Sequence, residues 1–482
     1  MRLRFERFEK LKKFQNRPMW KKTRKFFVLT ILFLAVPVLS GCVKKAPQSY
    51  TVNLEVWGVF DDSADYNDIF RAYAKVNPYV NSITFRKFTI EEYRRELLNA
   101  LASGKGPDIF MVNNAWLPDY YDKITPAPEN LINKQMFSKV FVDVAAEDNI
   151  VADQVIGVPL SVDALALYYN KDIFAAAGIV SPPQTWEEFN STVEKLTKID
   201  SYGNIVRSGA AMGTAKNINR STDILTLLMM QSGVEMTDKD GQRITWTGAT
   251  AAGAAGTVPA AVRALEYYTD FANPTKAVYT WNPRRHYSID SFVAGDTAMM
   301  INYSWHYGTI ARRNEKLRFG VSKVPQIDPE KPVNVANYWT FVVSRNKETP
   351  SPTGVAVNNR LRVHEAWQFL KYMTMVGKGN FTLVNGLDNT AQTVFSEIDP
   401  AADYLAKTGK PAARKDLVNK QLTDPILEPF AYGVLNARSW RRKNSEEIER
   451  VMAEMIEDVV RGRADAQRAF WTATTRAGQL LK

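Results

Sequence analysis

Cysteine is almost missing from this 482-residue chain: Cys42 is the only one, so no disulfide can form within it. Histidine is scarce too. His286, His306 and His364 include no pair at metal-ligand spacing, which leaves a His/Cys zinc site without ligands. There is no P-loop, no Gly-x-Ser-x-Gly elbow and no Gly-rich dinucleotide fingerprint, so the chemistries those motifs serve have no carrier here. The apolar run from Phe26 to Leu39 carries no charge but is fourteen residues long, short of the roughly 20 that span a bilayer. Basic surplus outside one short segment is also lacking. Residues 1–25 hold eleven basic and two acidic side chains, which accounts for +9 of the formal +11. The remainder is close to neutral, so the charge gives little support for nucleic-acid binding, which wants Lys and Arg clustered on the folded domain.

What the first forty-two residues do contain is a targeting signal. A basic stretch, the apolar run Phe26–Leu39 and a processing site follow one another in the order of a signal peptide. Leu39, Ser40, Gly41 and Cys42 resemble the lipobox read by lipoprotein signal peptidase, with small residues before a cysteine that accepts diacylglycerol. Cys42 is therefore the expected lipidation site, residues 1–41 a signal peptide and residues 42–50 a polar tether. Met19, followed by a shorter basic stretch, is the expected initiator.

The chain beyond the tether is too long for a single core, so two lobes are expected. Its hydrophobic content of 45% and many aromatics are those of a globular protein. Val52, Leu54 and Val56 alternate with polar residues as a strand does, and Tyr66, Ile69, Phe70 and Tyr73 recur at helical spacing up to Asn77-Pro78. Ile83 and Phe85 mark a second strand, Tyr93, Leu97, Leu98 and Leu101 a second helix, and Ile109–Val112 a strand buried on both faces. This is a β-α-β-α-β unit and predicts a mostly parallel sheet. Further on, the stretch from Gly157 to Asn170 reads as one central strand. Thr185 and Glu188 form a capping box, and Asn444 with Glu447 opens a C-terminal helix striped by Ile448, Val451, Met452, Met455 and Ile456. Thr247–Ala261 and Thr349–Arg360 read as surface insertions.

Ligands of open α/β sheets lie beyond the carboxyl ends of the strands, which directs attention to Trp57–Asp62 and Asn113–Trp116. Trp57, Phe60, Asp61, Asn113, Asn114 and Trp116 there combine rings with amide and carboxylate groups. A neutral sugar needs that combination, stacking its C–H faces on rings while its hydroxyls find partners in the ring plane. Tyr168 and Tyr169 are consecutive in a strand, point to opposite faces and cannot converge on one metal.

Several segments in order carry a resemblance: Val56–Asp61, Gly106-Pro107-Asp108, Gly157-Val158-Pro159 through Asp163 to Tyr168-Tyr169-Asn170-Lys171-Asp172, Pro182-Pro183-Gln184-Thr185-Trp186-Glu187-Glu188, and Gly295–Met300 through Trp305. Together they resemble the carbohydrate-binding extracellular solute-binding proteins, the group typified by maltose-binding protein. The resemblance implies an α/β, two-lobe periplasmic-binding-protein-like fold of type II, with mixed sheets flanked by helices and a sugar held in the cleft between lobes. It implies lobe 1 over 51–162 with a return segment at 339–395, and lobe 2 over 163–338 with C-terminal helices at 396–482. Ser161–Ala164 and Asn337–Thr340 become the crossings. Asp163 falls where the family often places a hydroxyl-binding carboxylate, with Ser161 in the same crossing a candidate ligand residue, Trp305 where a tryptophan stacks on sugar from the second lobe, and Trp440 near another family aromatic. Tyr338 and Trp339 stand where many relatives carry glycines, which predicts a narrower cleft, and the family's Pro-x-Arg loop is replaced after Leu387 by Asp388 and Asn389.

The family also implies partners: ABC permease subunits with a separate ATPase, and the membrane through the lipid anchor on the outer face of the cytoplasmic membrane or periplasmic side of the envelope. A monomer without cofactor or metal is expected. Two alternatives stand. Asp61 and Asp163 can in principle supply the carboxylate pair of a membrane-anchored glycoside hydrolase, or the ligand is not a sugar. Arg441, Arg442 and Lys443 beside Trp440 read as a solvated face or as selecting an acidic sugar.

Overall fold

The computed structural model describes residues 50–238, 241–247, 258–347 and 358–481. The leader, Cys42 and the tether up to residue 49 lie outside these residues, as does most of both expected insertions (248–257 and 348–357). Ala260 and Ala261, placed in the first insertion by composition, instead open the helix Ala260–Asp270 and are buried in it.

Strand β1 (Val52–Val59) shows why the first sheet is covered on both faces: Val52, Leu54 and Val56 enter one core, Trp57 and Val59 the other. Helix α1 (Ser63–Val76) begins where the Asp65 carboxylate accepts from the Asp62 N–H at 2.8 Å and stops at Asn77. Strand β2 (Val80–Phe88), helix α2 (Ile90–Ala102) and strand β3 (Ile109–Asn113) complete the β-α-β-α-β unit, with β1 parallel to both neighbours.

The stretch 157–170 departs from the single strand expected of it. It is divided among three sheets as β4 (Val158–Pro159), β5 (Asp163–Ala164) and β6 (Ala166–Asn170). An apolar run gives no sign of a bend when the bend itself is buried. The second lobe then builds helix α3 (Trp186–Leu196), strand β7 (Lys198–Ile199), strand β8 (Ile205–Ala210), helix α4 (Ser221–Gln231), strand β9 (Thr297–Asn302) and strand β10 (Phe319–Lys323). Its sheet runs β10-β6-β9-β8-β7. Thr185 does cap α3, accepting from the Glu188 N–H at 3.2 Å, but Glu188 reaches the Gln184 N–H (2.7 Å), one residue beyond the capping-box partner.

The second crossing strand comes three residues earlier than expected, while the first-lobe strand after it begins at Trp339, where the return was expected. Strand β11 (Asn334–Asn337) makes the crossing, and β12 (Trp339–Val343) already pairs with β3 and β4, giving a first sheet ordered β2-β1-β3-β12-β4. Helices α5 (Asn359–Met375), α6 (Pro400–Thr408) and α7 (Lys415–Gln421) follow. Tyr404, Leu405, Leu417 and Val418 lie in the first lobe's core, so assigning everything from 396 onward to the second lobe is corrected. A third crossing, β13 (Ala437–Arg438), leads to α8 (Ser445–Val460) and a further helix, α9 (Ala466–Leu480), both packed in the second core. The α8 stripe is buried as its periodicity requires. Asn444 is not a side-chain cap: its φ is +53°, and its amide donates to the Leu480 carbonyl at 2.7 Å, tying α8 to the end of α9. The three crossings form their own sheet, β13-β11-β5.

Candidate functional site

The carboxyl ends of β1 and β3 and the crossing sheet meet at a cavity of about 370 Å³ lined by residues of both lobes. Eight of the expected residues come together there: Phe60, Asn113, Trp116, Ser161, Asp163, Trp305, Tyr338 and Trp339. A more open depression of about 390 Å³, around Gln184, Lys323 and Glu428, has no aromatic in its lining.

Trp339, at the start of β12, is the centre of the first-lobe wall. Phe60 and Trp116 meet it edge to face, with ring centroids at 5.7 and 5.1 Å. Phe60 stands at φ +67° immediately after β1, a conformation that a bulky residue rarely adopts, and it is 57% exposed. The turn leaves its ring in the cleft while Asp61 passes beneath. Facing this wall, Trp305 lies flat on Tyr303 (4.5 Å, 19° between planes) and remains 44% exposed. Tyr303 is itself fixed, donating its hydroxyl to Asp223 at 2.8 Å.

Polar groups sit between these walls. The Asn113 amide donates to Asn337 at 3.1 Å and to the Tyr338 carbonyl at 3.3 Å, so its position is set by the crossing segment. Tyr338 donates its hydroxyl to buried Asp148 (2.8 Å), whose pKa burial raises to about 6. Asp163 accepts from the N–H groups of Ala164 (2.8 Å) and Ser304 (3.0 Å) and from the Ser304 hydroxyl. Burial outweighs those donors and lifts its pKa from the ordinary 3.8 to about 7.

Four expected residues do not line the cavity. Trp57 points to the other face of β1, under Phe88 and the Arg86 guanidinium (4.6 and 4.9 Å), because strand parity turns it away. Asp61 is enclosed, accepting from the hydroxyls of Tyr66 and Tyr404 (2.7 Å each) and from Lys410. Buried Asn114 accepts from the Tyr338 N–H at 3.2 Å and so props the wall from behind. Trp440 is buried beneath the Arg442 guanidinium, 3.6 Å from its ring centre.

Residues that the pattern did not reveal complete the lining, notably Tyr404, Lys410, Arg220, Asn337, Glu446 and Glu449. They come from the end of β11, from α6 and α8 and from loops, segments far apart in the chain, and no local motif marks the charged ones. Each charged one has an opposite charge as partner: Arg220 with Asp223, Lys410 with Asp61, Glu446 with Arg94 and Glu449 with Arg442. Among the described residues no group of His, Cys, Asp and Glu is placed to hold a metal ion.

A cavity between two α/β lobes joined by three crossing strands, walled by rings and amides, defines a two-lobed binding protein. The chain belongs to the family of bacterial extracellular solute-binding proteins, whose model matches residues 68–375, more than half of its length. A binding protein of Brucella abortus (strain 2308) is 23% identical over 302 residues, 62% of this chain and 66% of that protein. The sn-glycerol-3-phosphate-binding periplasmic protein UgpB of Shigella dysenteriae is 26% identical over 340 residues, 67% of this chain. The chain thus spans 66% of the length of each of these relatives. Among solved structures, the cyclic α-maltosyl-1,6-maltose binding protein from Arthrobacter globiformis matches with a TM-score of 0.69 at 18% identity, over 90% of this chain and 99% of its own. The sugar-binding protein MalE from Xanthomonas citri matches with a TM-score of 0.67 at 17% identity, over 89% of this chain and 97% of its own. These likenesses establish the two-lobe fold. Family membership implies export, and no helix among the described residues is long and apolar enough to cross a membrane.

The Asp163 carboxyl yields a pH signature. With its folded pKa near 7 above the ordinary 3.8, the folded state holds a proton that the unfolded chain has lost between those values. Its contribution to stability is complete below pH 3.8 and disappears as pH rises through 7. Melting temperatures of wild type and Asp163→Asn recorded across that range should show the wild type losing ground relative to the variant as pH rises. Parallel curves would contradict the assignment.

Proposed function

We propose that this chain is the substrate-binding lipoprotein of an ABC importer, anchored through Cys42, that captures a neutral sugar between its lobes and hands it to membrane permease subunits. The observation that carries this reading is the lining of the cleft. Phe60, Trp116, Trp339 and Trp305 offer ring surfaces, Asn113, Asn337 and Ser161 offer hydrogen-bonding groups, and every charged lining residue except Asp163 is matched by an opposite charge within the protein. A sugar's apolar faces and neutral hydroxyls fit such a surface, whereas an ionic ligand leaves a net charge in it. The sugars named for the structural neighbours agree with the reading.

One observation favours a second ligand class: relatives bind sn-glycerol 3-phosphate, and Arg220 and Lys410 both reach the cavity. Their carboxylate partners weigh against a phosphate. We assign no catalytic role to the carboxylates. Asp61 is enclosed behind the wall, and Glu446 and Glu449 are each held by an arginine.

Calorimetry on the leaderless protein should find a neutral mono- or oligosaccharide that binds and is recovered chemically unchanged. Preferential binding of sn-glycerol 3-phosphate, or steady turnover of the sugar, would overturn the proposal. Trp305→Ala should weaken that sugar by about 2 kcal/mol, roughly 30-fold, because it removes a ring that closes on the ligand from the second lobe. Since Trp305 is 44% exposed, the variant's melting temperature should stay close to wild type. A lowered melting temperature with unchanged affinity would make it a packing residue instead. Finally, Cys42→Ala should abolish acylation and release the protein from the membrane fraction, and globomycin should block processing of the wild type. Processing insensitive to globomycin would remove the anchor.

A further inference from the structure

The segment between β13 and α8 plants Trp440 in the second core, yet it is tied to the first lobe along its length. Ser439 donates to Asp148, Arg441 donates to the Tyr121 hydroxyl (3.3 Å) and the Asp148 carbonyl (3.2 Å), and the N–H of Arg442 donates to the Ala115 carbonyl at 3.4 Å. The N–H of Asn444 then donates to Asp119 at 3.3 Å. The strap ends at Glu446, in the first turn of α8, which both lines the cavity and forms an ion pair with Arg94 of α2 at 3.2 Å.

Arg94 is a fixed post. Its guanidinium also binds Asp119 at 3.0 Å and lies 5.4 Å from the ring centre of Trp116, itself part of the cavity wall. Trp116 and Glu446 both line the cavity, and Arg94 links them across the two lobes. The space that remains, about 370 Å³, lies near the bottom of the range of roughly 300–1,000 Å³ typical of small-molecule sites. An elongated ligand that leaves the cavity between Trp116 and Glu446 meets the strap and the ion pair.

We infer that the strap closes one end of the cleft and that Glu446, held by Arg94, is a specificity-determining residue that restricts the ligand to one or two sugar units. The inference rests on the sugar-binding reading and deepens it. Glu446 has a half-exposed side chain, so changing it should leave the fold intact.

The experiment is calorimetry with mono- to tetrasaccharide series of glucose, mannose and galactose in α and β linkages, on wild type, Glu446→Ala and Glu446→Gln. Within the series it accepts, the wild type should bind its best mono- or disaccharide at least about tenfold more tightly than the tetrasaccharide, a difference of about 1.4 kcal/mol. Glu446→Ala should shrink that ratio to about threefold or less by admitting the longer chain. Glu446→Gln, which keeps a hydrogen bond toward Arg94, should preserve it. A tetrasaccharide bound as tightly as the disaccharide by wild type overturns the length limit while leaving sugar binding in place. A ratio unchanged in Glu446→Ala overturns the role of Glu446. Binding of no member of any series overturns the sugar reading itself and this inference with it.

Discussion

Where three chain segments pass between two hydrophobic cores, their backbone groups have no water to bind and must find partners in the protein. The sheet β13-β11-β5 supplies many of them, and the Asn334 side chain supplies three more. Its amide donates to the Leu165 carbonyl at 2.8 Å, and its oxygen accepts from the N–H groups of Leu165 (3.2 Å) and Val335 (2.7 Å). Gly433 makes room for this clasp, since a Cβ there would stand 2.6 Å from the Asn334 amide nitrogen. Because the lobes share so narrow a waist, each keeps its own core and the cleft opens between them. The position of the cleft and the separateness of the two cores follow from that constraint.

The same waist explains how the binding surface is organised. Asp163, Asn337 and Tyr338 sit on or beside the crossing strands, so their polar groups have a fixed relation to both lobes. The rings are distributed differently, with Trp339, Phe60 and Trp116 forming an angular wall on one lobe and Trp305 a single plate on the other. Under the proposed function, contacts divided in this way would be complete only when the lobes approach, so the ligand would gain free energy from closure. Apart from Asp163, the charged lining residues are paired internally, and an ion pair already made need not be broken to admit a neutral solute.

Trp57 and Trp116 show how far residue type alone carries the reading. Both follow the strand-end rule, but Trp57 lies within β1, where alternation sends it to the opposite face, while Trp116 lies beyond β3 in a turn free of that alternation. Asp61 and Asn114 belong beside the site yet support it from behind, a distinction that depends on which partner each meets: Tyr404 and Lys410 for one, Tyr338 for the other.

The β-α-β-α-β opening, the α8 stripe and the family were legible in linear order, because strand alternation, helical periodicity and short motifs are local patterns. The division of 157–170 among three sheets, the return of α6 and α7 to the first lobe and the third crossing were not. Each depends on buried bends and on which core accepts an apolar face, and either core satisfies the same pattern. The pairing of Lys410 with Asp61, or of Glu446 with Arg94, joins residues more than three hundred positions apart. Such contacts leave no trace in spacing or composition, since the chain's path through the waist, and not its local chemistry, brings them together.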